Sequence, residues 1–220
     1  MQALLKVVLG FLLCALSGSF SGLFAESLVE GKDYVVLNNT LDVPKPSVVE
    51  IFNVGCPHCA NMQKVLPSLF AVLKDDVEFL PFHITTGAPF SKQASEVLAV
   101  SFVLDKAHKT SIKDSKSHFK RAVEAYFDAN FKNKQRFKNV ESFIAYGLNA
   151  AGIPQNDFDS TLKDKAAQEI LKQWNEAAQH ARIQGVPSFI VNGKYLILAQ
   201  NLKSQEDFIF KVDYLLGLDW

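Results

Sequence analysis

Hydrophobic and polar positions along this chain of 220 residues switch between two periods. Residues 34–37 form a short apolar run, and residues 47–53 form a second in which Val48, Val49, Ile51 and Phe52 crowd together. Both have the length and β-branched content of strands. From Met62 the spacing changes: Val65, Leu66, Leu69, Phe70 and Leu73 follow at helical intervals, which predicts a helix kinked at Pro67 and ended by Asp75-Asp76. Residues 77–84 return to strand character. Residues 90–104, 119–131 and 140–150 then read as helices, the last closed by Gly152. Residues 159–183 read as one long helix, with Ala167, Ile170, Leu171, Trp174, Ala178 and Ala181 along a stripe and Gly185 as its stop. Strand pattern resumes at 188–191 and 195–198 around Asn192-Gly193, a strong hairpin signal. Ser204, with Asp207 three positions on, opens a final helix bearing Phe208, Ile209, Val212, Leu215 and Leu216 on one face. The predicted order is β-β-α-β, a helical stretch, then β-β-α: an α/β chain built around one sheet with a helical insertion.

The first twenty-five residues read as an export leader instead of structure. Lys6 is their only charged side chain, residues 7–16 are apolar apart from Gly10, and small and polar residues follow up to Ala25. The apolar run is short for a membrane span. Cleavage is expected after Ala25, and Cys14 leaves with the leader. The remaining 195 residues carry 22 basic and 23 acidic side chains, so global charge gives no argument for a nucleic-acid partner. Residues 106–138 hold ten basic residues against three acidic ones. That run reads as a solvated face, with an anionic membrane surface or partner as the sharper alternative.

Without the leader, two cysteines remain, in Cys56-Pro57-His58-Cys59. The motif falls at a strand-to-helix junction, with Cys56 at the helix N-terminus and Cys59 one turn inside. The attacking species in disulfide exchange is the thiolate, and a helix N-terminus stabilises negative charge. Pro57 suits the first helical turn, where its missing N–H is not needed. His58 adds a donor or a positive charge. Three other readings of the motif are weaker. A loop of four residues gives a structural disulfide little entropy to remove. A zinc site needs about four ligands, and there is no second cysteine pair. Covalent haem needs His directly after the second cysteine, where Ala60 stands. An exported chain whose only thiols form such a pair makes or breaks disulfides in other proteins.

These features, with the sequence from Gly185-Val186-Pro187 to Tyr195, resemble the DsbA family of periplasmic thiol:disulfide oxidoreductases. The resemblance implies a thioredoxin-like fold over residues 26–85 and 166–220, with a helical insertion over 86–165. It implies a monomeric dithiol oxidase in the periplasm that needs no cofactor or metal beyond its own disulfide. Its substrates would be reduced, unfolded secreted proteins, and its reoxidant a membrane quinone-linked DsbB-like partner. Val186-Pro187 would be a cis bond facing the dithiol, with the Val186 backbone free to pair with an extended substrate. His58 would favour the Cys56 thiolate, and so the donation of disulfides. Glu50, within the strand before the motif, would accept a proton from Cys59 if it points inward, and would be a solvated strand residue if it points outward. Family members often pair this acid with a lysine on the next strand; here that position is Pro81. Two alternatives remain: a disulfide isomerase or reductase, and a non-catalytic chaperone or metal binder. Isomerases of this fold carry a dimerisation module ahead of the motif, and only about 30 residues lie between Ala25 and Cys56.

Overall fold

The computed structural model describes residues 27–218; the expected leader, with Cys14, lies outside the described residues. Five strands form one mixed sheet in the order β1-β5-β4-β2-β3. β2 (Ser47–Phe52) runs parallel to β3 (Glu78–His83) and antiparallel to β4 (Ser188–Val191). All six of its residues are buried, which is why its apolar residues crowd together with no alternation. β5 (Tyr195–Ile197) pairs with β4, and β1 (Tyr34–Val36) closes that side.

Between β2 and β3 the spacing predicts one kinked helix, and the chain forms two: α1 (Pro57–Met62) and α2 (Leu66–Val72). Pro67 has no N–H to bond back to residue 63, so the ladder breaks and a turn closes instead by Val65 N–H to Met62 O at 2.8 Å. Pro67 then sits in the first turn of α2, where the missing donor does no harm.

Five helices separate β3 from β4. They are α3 (Ser91–Ala107), α4 (His118–Phe127), α5 (Val140–Ala151), α6 (Gln155–Thr161) and α7 (Lys165–His180), with a π-helical turn (Asp128–Lys132) extending α4. Residues 159–183, read from sequence as one helix, are divided between α6 and α7. Asp164 takes extended angles (φ −68°, ψ 144°) at the start of α7, and this separates two packing tasks. α6 buries Phe158 against α3 and α5, while α7 lies on α3 and β3.

Trp174 of α7 is 1% exposed and touches the rings of Phe82, Phe102 and Phe119. One side chain thus joins β3, α3, α4 and α7, so the insertion and the sheet share a core. A second core, with Val48, Leu69 and Phe189, is covered by Phe208 and Val212 of α8 (Gln205–Leu216). Ser204 caps α8 by accepting the Asp207 N–H at 3.2 Å, as its sequence spacing predicts.

The Asn192-Gly193 turn has both residues at positive φ (53° and 65°), the form that matches strand twist. Gly193 O also accepts the Leu41 N–H at 2.8 Å, pinning the segment before β2. A Cβ added at Gly193 would lie 2.5 Å from Leu41 O. Gly193→Ala is therefore expected to lower stability by roughly 2–3 kcal/mol, read by thermal or urea unfolding; an unchanged midpoint would contradict this packing.

Candidate active site

β2 delivers the chain to the centre of the sheet's edge loops, and residues 53–55 carry it into α1. Cys56 is the N-cap of α1 and Pro57 its first residue; no side chain caps the helix, so its first N–H groups remain available beside the sulfur. Cys56 is partly exposed, Pro57 and His58 are exposed, and Cys59 is wholly buried. Both thiols are free in this structure. Burial pushes the Cys59 thiol far up, opposed in part by a hydrogen bond to the Asn53 backbone and reinforced by the nearby Cys56 and Glu50 charges. The two sulfurs of one motif therefore have different chemistry: one is reachable, the other is held as a neutral thiol.

Val186-Pro187 faces this pair. The peptide bond between them is cis, and the Cys56 thiol donates to Val186 O at 3.3 Å across 130 residues of sequence. Beside the contact lies a groove of about 650 Å³, bounded by His58, Met62 and Val65 on one wall and by Val186, Pro187 and Leu196 on the other.

The loop before Cys56 is held from three sides. Asn53 donates through Nδ2 to Ile84 O (2.7 Å) and Ser91 Oγ (2.9 Å), and its Oδ1 accepts the Gly55 N–H at 2.8 Å. Asn130, in the π-helical turn, donates to Val54 O at 2.8 Å. His83 ends β3, is fully buried, and accepts the Val54 N–H on Nε2 at 3.1 Å. That bond fixes the tautomer: the ring proton is on Nδ1, which donates to Ser95 Oγ at 2.7 Å. Burial lowers the His83 pKa to about 3, so the ring stays a neutral acceptor. The sequence pattern gives no hint of this role for Asn130, and for Asn53 and His83 the one available signal is an isolated polar residue at the end of an apolar strand.

Glu50 points inward. It is 1% exposed, and its Oε1 has no hydrogen-bond partner. Its neighbours in the sheet register are Pro81 on β3 and Phe189 on β4, neither of which offers a charge. Desolvation raises the carboxyl to about 8, so it is protonated at neutral pH and shares the dithiol's neighbourhood with Cys59. Among the described residues no group of three or more His, Cys, Asp or Glu side chains converges on a metal-sized space.

Glu50 and His83 set opposite pH limits on stability. An unfolded Glu50 ionises near 4.5 but the folded one near 8, so stability falls as pH rises through that window. An unfolded His83 takes a proton near 6.5 but the folded one only near 3, so stability falls as pH drops from the first value to the second. Glu50→Gln is expected to stabilise the protein by about 1–3 kcal/mol at pH 8 and by nothing near pH 4.5, read by thermal melting. Equal effects at both values would mean that Glu50 ionises freely in the fold.

The DSBA-like thioredoxin domain model matches residues 47–209. The thiol:disulfide interchange protein DsbL of Escherichia coli O6:H1 (strain CFT073) is 40% identical over 207 residues, covering 92% of this chain and 91% of that protein. The DsbA protein of Salmonella typhimurium (strain LT2) is 26% identical over 198 residues, covering 86% of each. The crystal structure of DsbL from Salmonella enterica serovar Typhimurium superposes with a TM-score of 0.79 at 40% identity, covering 89% of this chain and all of that one. The cysteine pair at a helix N-terminus, the proline opposite and the helices between β3 and β4 are thus set in a frame shared along nearly the whole length of these relatives, and the chain belongs to the DSBA-like thioredoxin domain family.

Proposed function

We propose that this chain is an exported thiol:disulfide oxidoreductase that donates disulfides to reduced, unfolded proteins in the periplasm, with Cys56 as the sulfur attacked. The observation that carries this reading is the asymmetry of the dithiol. Cys56 is reachable, caps a helix and touches Val186 O, whereas Cys59 is sealed beneath it.

In the oxidised enzyme, a substrate thiolate attacks Cys56 Sγ, and the Cys56–Cys59 bond breaks as the mixed disulfide forms. Cys59 leaves with the electron pair and takes up a proton, which its buried setting favours. Glu50, neutral at pH 7, supplies that proton and is then reprotonated from solvent, so that it is again neutral in the reduced enzyme. A second substrate thiolate then attacks the substrate sulfur and releases Cys56 as the thiolate. The helix N-terminus and His58 favour that leaving group, which drives transfer toward the substrate.

An extended substrate lies in the groove beside Pro187, pairing with the Val186 backbone. Proline at 187 keeps an N–H from competing at the sulfurs. The redox group is the cysteine pair itself, without metal or further cofactor. Reduced enzyme passes its electrons to a membrane quinone-linked, DsbB-like partner, and the oxidase acts as a monomer. The amino-terminal leader is the export signal; among the described residues no helix is long and apolar enough to cross a membrane.

Equilibration with glutathione tests the direction of transfer. A reduction potential toward the strongly oxidising value of about −120 mV is expected, and one near the −270 mV typical of thioredoxin would overturn donation. His58→Ser should move the potential tens of millivolts toward the reducing side. Pro187→Thr should leave the fold intact and slow release, so that substrates accumulate as Cys56-linked complexes on non-reducing gels. Unchanged turnover with no trapped species would reduce Pro187 to a turn residue.

A further inference from the structure

Apart from the groove at Pro187, a cavity of about 300 Å³ opens between α2, β3 and α4. Its walls are the rings of Phe70, Phe79 and Phe119 with Pro81, and Glu50 lies on its lining. Glu50 is buried and the lysines beside the cavity are partly exposed, so the carboxyl marks the inner end and Lys113 and Lys120 the mouth.

We propose that this cavity is a binding site for a small, neutral, planar aromatic molecule bearing a cis amide, a lactam or primary carboxamide, whose amide pairs with the Glu50 carboxyl. Three observations specify the ligand. The volume suits one or two fused rings, and aromatic walls favour a flat apolar body. Glu50 Oε1 lacks any partner in the protein, so a polar group is owed at the inner end. The register neighbour of Glu50 on β3 is Pro81, which lines the cavity and offers the carboxyl no polar side chain.

The head group follows from the protonation state. A neutral carboxylic acid offers a donor and an acceptor side by side, and an amide with its N–H and C=O on one edge is the complement. The surroundings disfavour a cationic head. Lys113 Nζ lies 5.7 Å over the Phe70 ring, and Lys120 Nζ donates to Lys113 O at 3.4 Å. The other ionisable group on the lining is Glu124, exposed on α4; Cys59, which interacts with Glu50 from α1, is kept neutral by burial. Pro81 and Phe189 flank Glu50 in the sheet without charge. An anionic substituent on the far side of the ring would meet the two lysines. The site stands whether or not Glu50 carries a proton for Cys59, because binding is read directly.

The test uses the reduced protein and isoquinolin-1(2H)-one, a bicyclic lactam, followed by NMR shift mapping and calorimetry from pH 6 to pH 9. The expected Kd is millimolar or better, as about ten heavy atoms support, with shifts centred on Phe70, Phe119 and Val123. Above pH 8 affinity should fall about tenfold per pH unit as Glu50 loses the donor the lactam needs. Glu50→Gln, which keeps a donor and an acceptor, should bind within about threefold of the parent at pH 7 and lose the pH dependence. The N-methyl lactam should bind at least tenfold more weakly to the unaltered protein, a comparison that requires no variant to fold. Shifts confined to the groove at Pro187, an affinity indifferent to pH in the parent, or benzamidine binding that exceeds the lactam's and rises with pH would each overturn the proposal.

Discussion

The geometry of the dithiol depends on three residues that have no freedom. Residues 53–55 join β2 to α1, and each is bonded: Asn53 to β3's exit and α3, Val54 to His83 and Asn130, Gly55 back to Asn53. Loosening this loop would let Cys56 drift from Val186 O and let α1 reorient, carrying Cys59 with it. The anchors come from β3, α3 and the π-helical turn after α4. The inserted helices are therefore part of the apparatus that aims the sulfurs, and Trp174 ties them to the sheet behind it.

The same close packing excludes water from Cys59, Glu50 and His83. Each has its neutral form favoured by desolvation before any other effect, so this is a single environment acting on three groups. The consequences differ with chemistry. The thiol is kept from ionising, the acid is kept as a proton store, and the imidazole is kept as an acceptor for a backbone N–H. Cys56, by contrast, is partly exposed. One turn of helix is enough to place two sulfurs on opposite sides of the boundary between solvent and core.

Legibility in the sequence followed the range of the interaction. The Asn192-Gly193 turn, the Ser204 cap, the β2 run and the motif at its helix start are local patterns, and the structure places each as its spacing predicts. Pro67 announces an interruption but not that the helix ends and restarts there, and the division at Asp164 is decided by which neighbours each half can bury against, which periodicity alone does not carry. Glu50 could not be oriented from β2 because a strand buried on both faces has no alternation to read. His83, Asn53 and Asn130 were invisible as a set, since the loop they fix draws them from positions tens of residues apart.

The sheet order has a further consequence in time. β2 lies between β3, its near neighbour in sequence, and β4, which arrives only after the five helices α3 to α7. A chain emerging from its amino end can pair β2 with β3 early, but Val186, Pro187 and β4 are still to come. Throughout that interval Cys56 has no carbonyl opposite it, and the strand that completes the cover over the central sheet is missing. Until then the two thiols lack any contact from the last third of the chain, and their two-residue spacing makes each the other's most accessible partner. The fold turns that reactive pair into a directed one at the end, when its last third closes over its first.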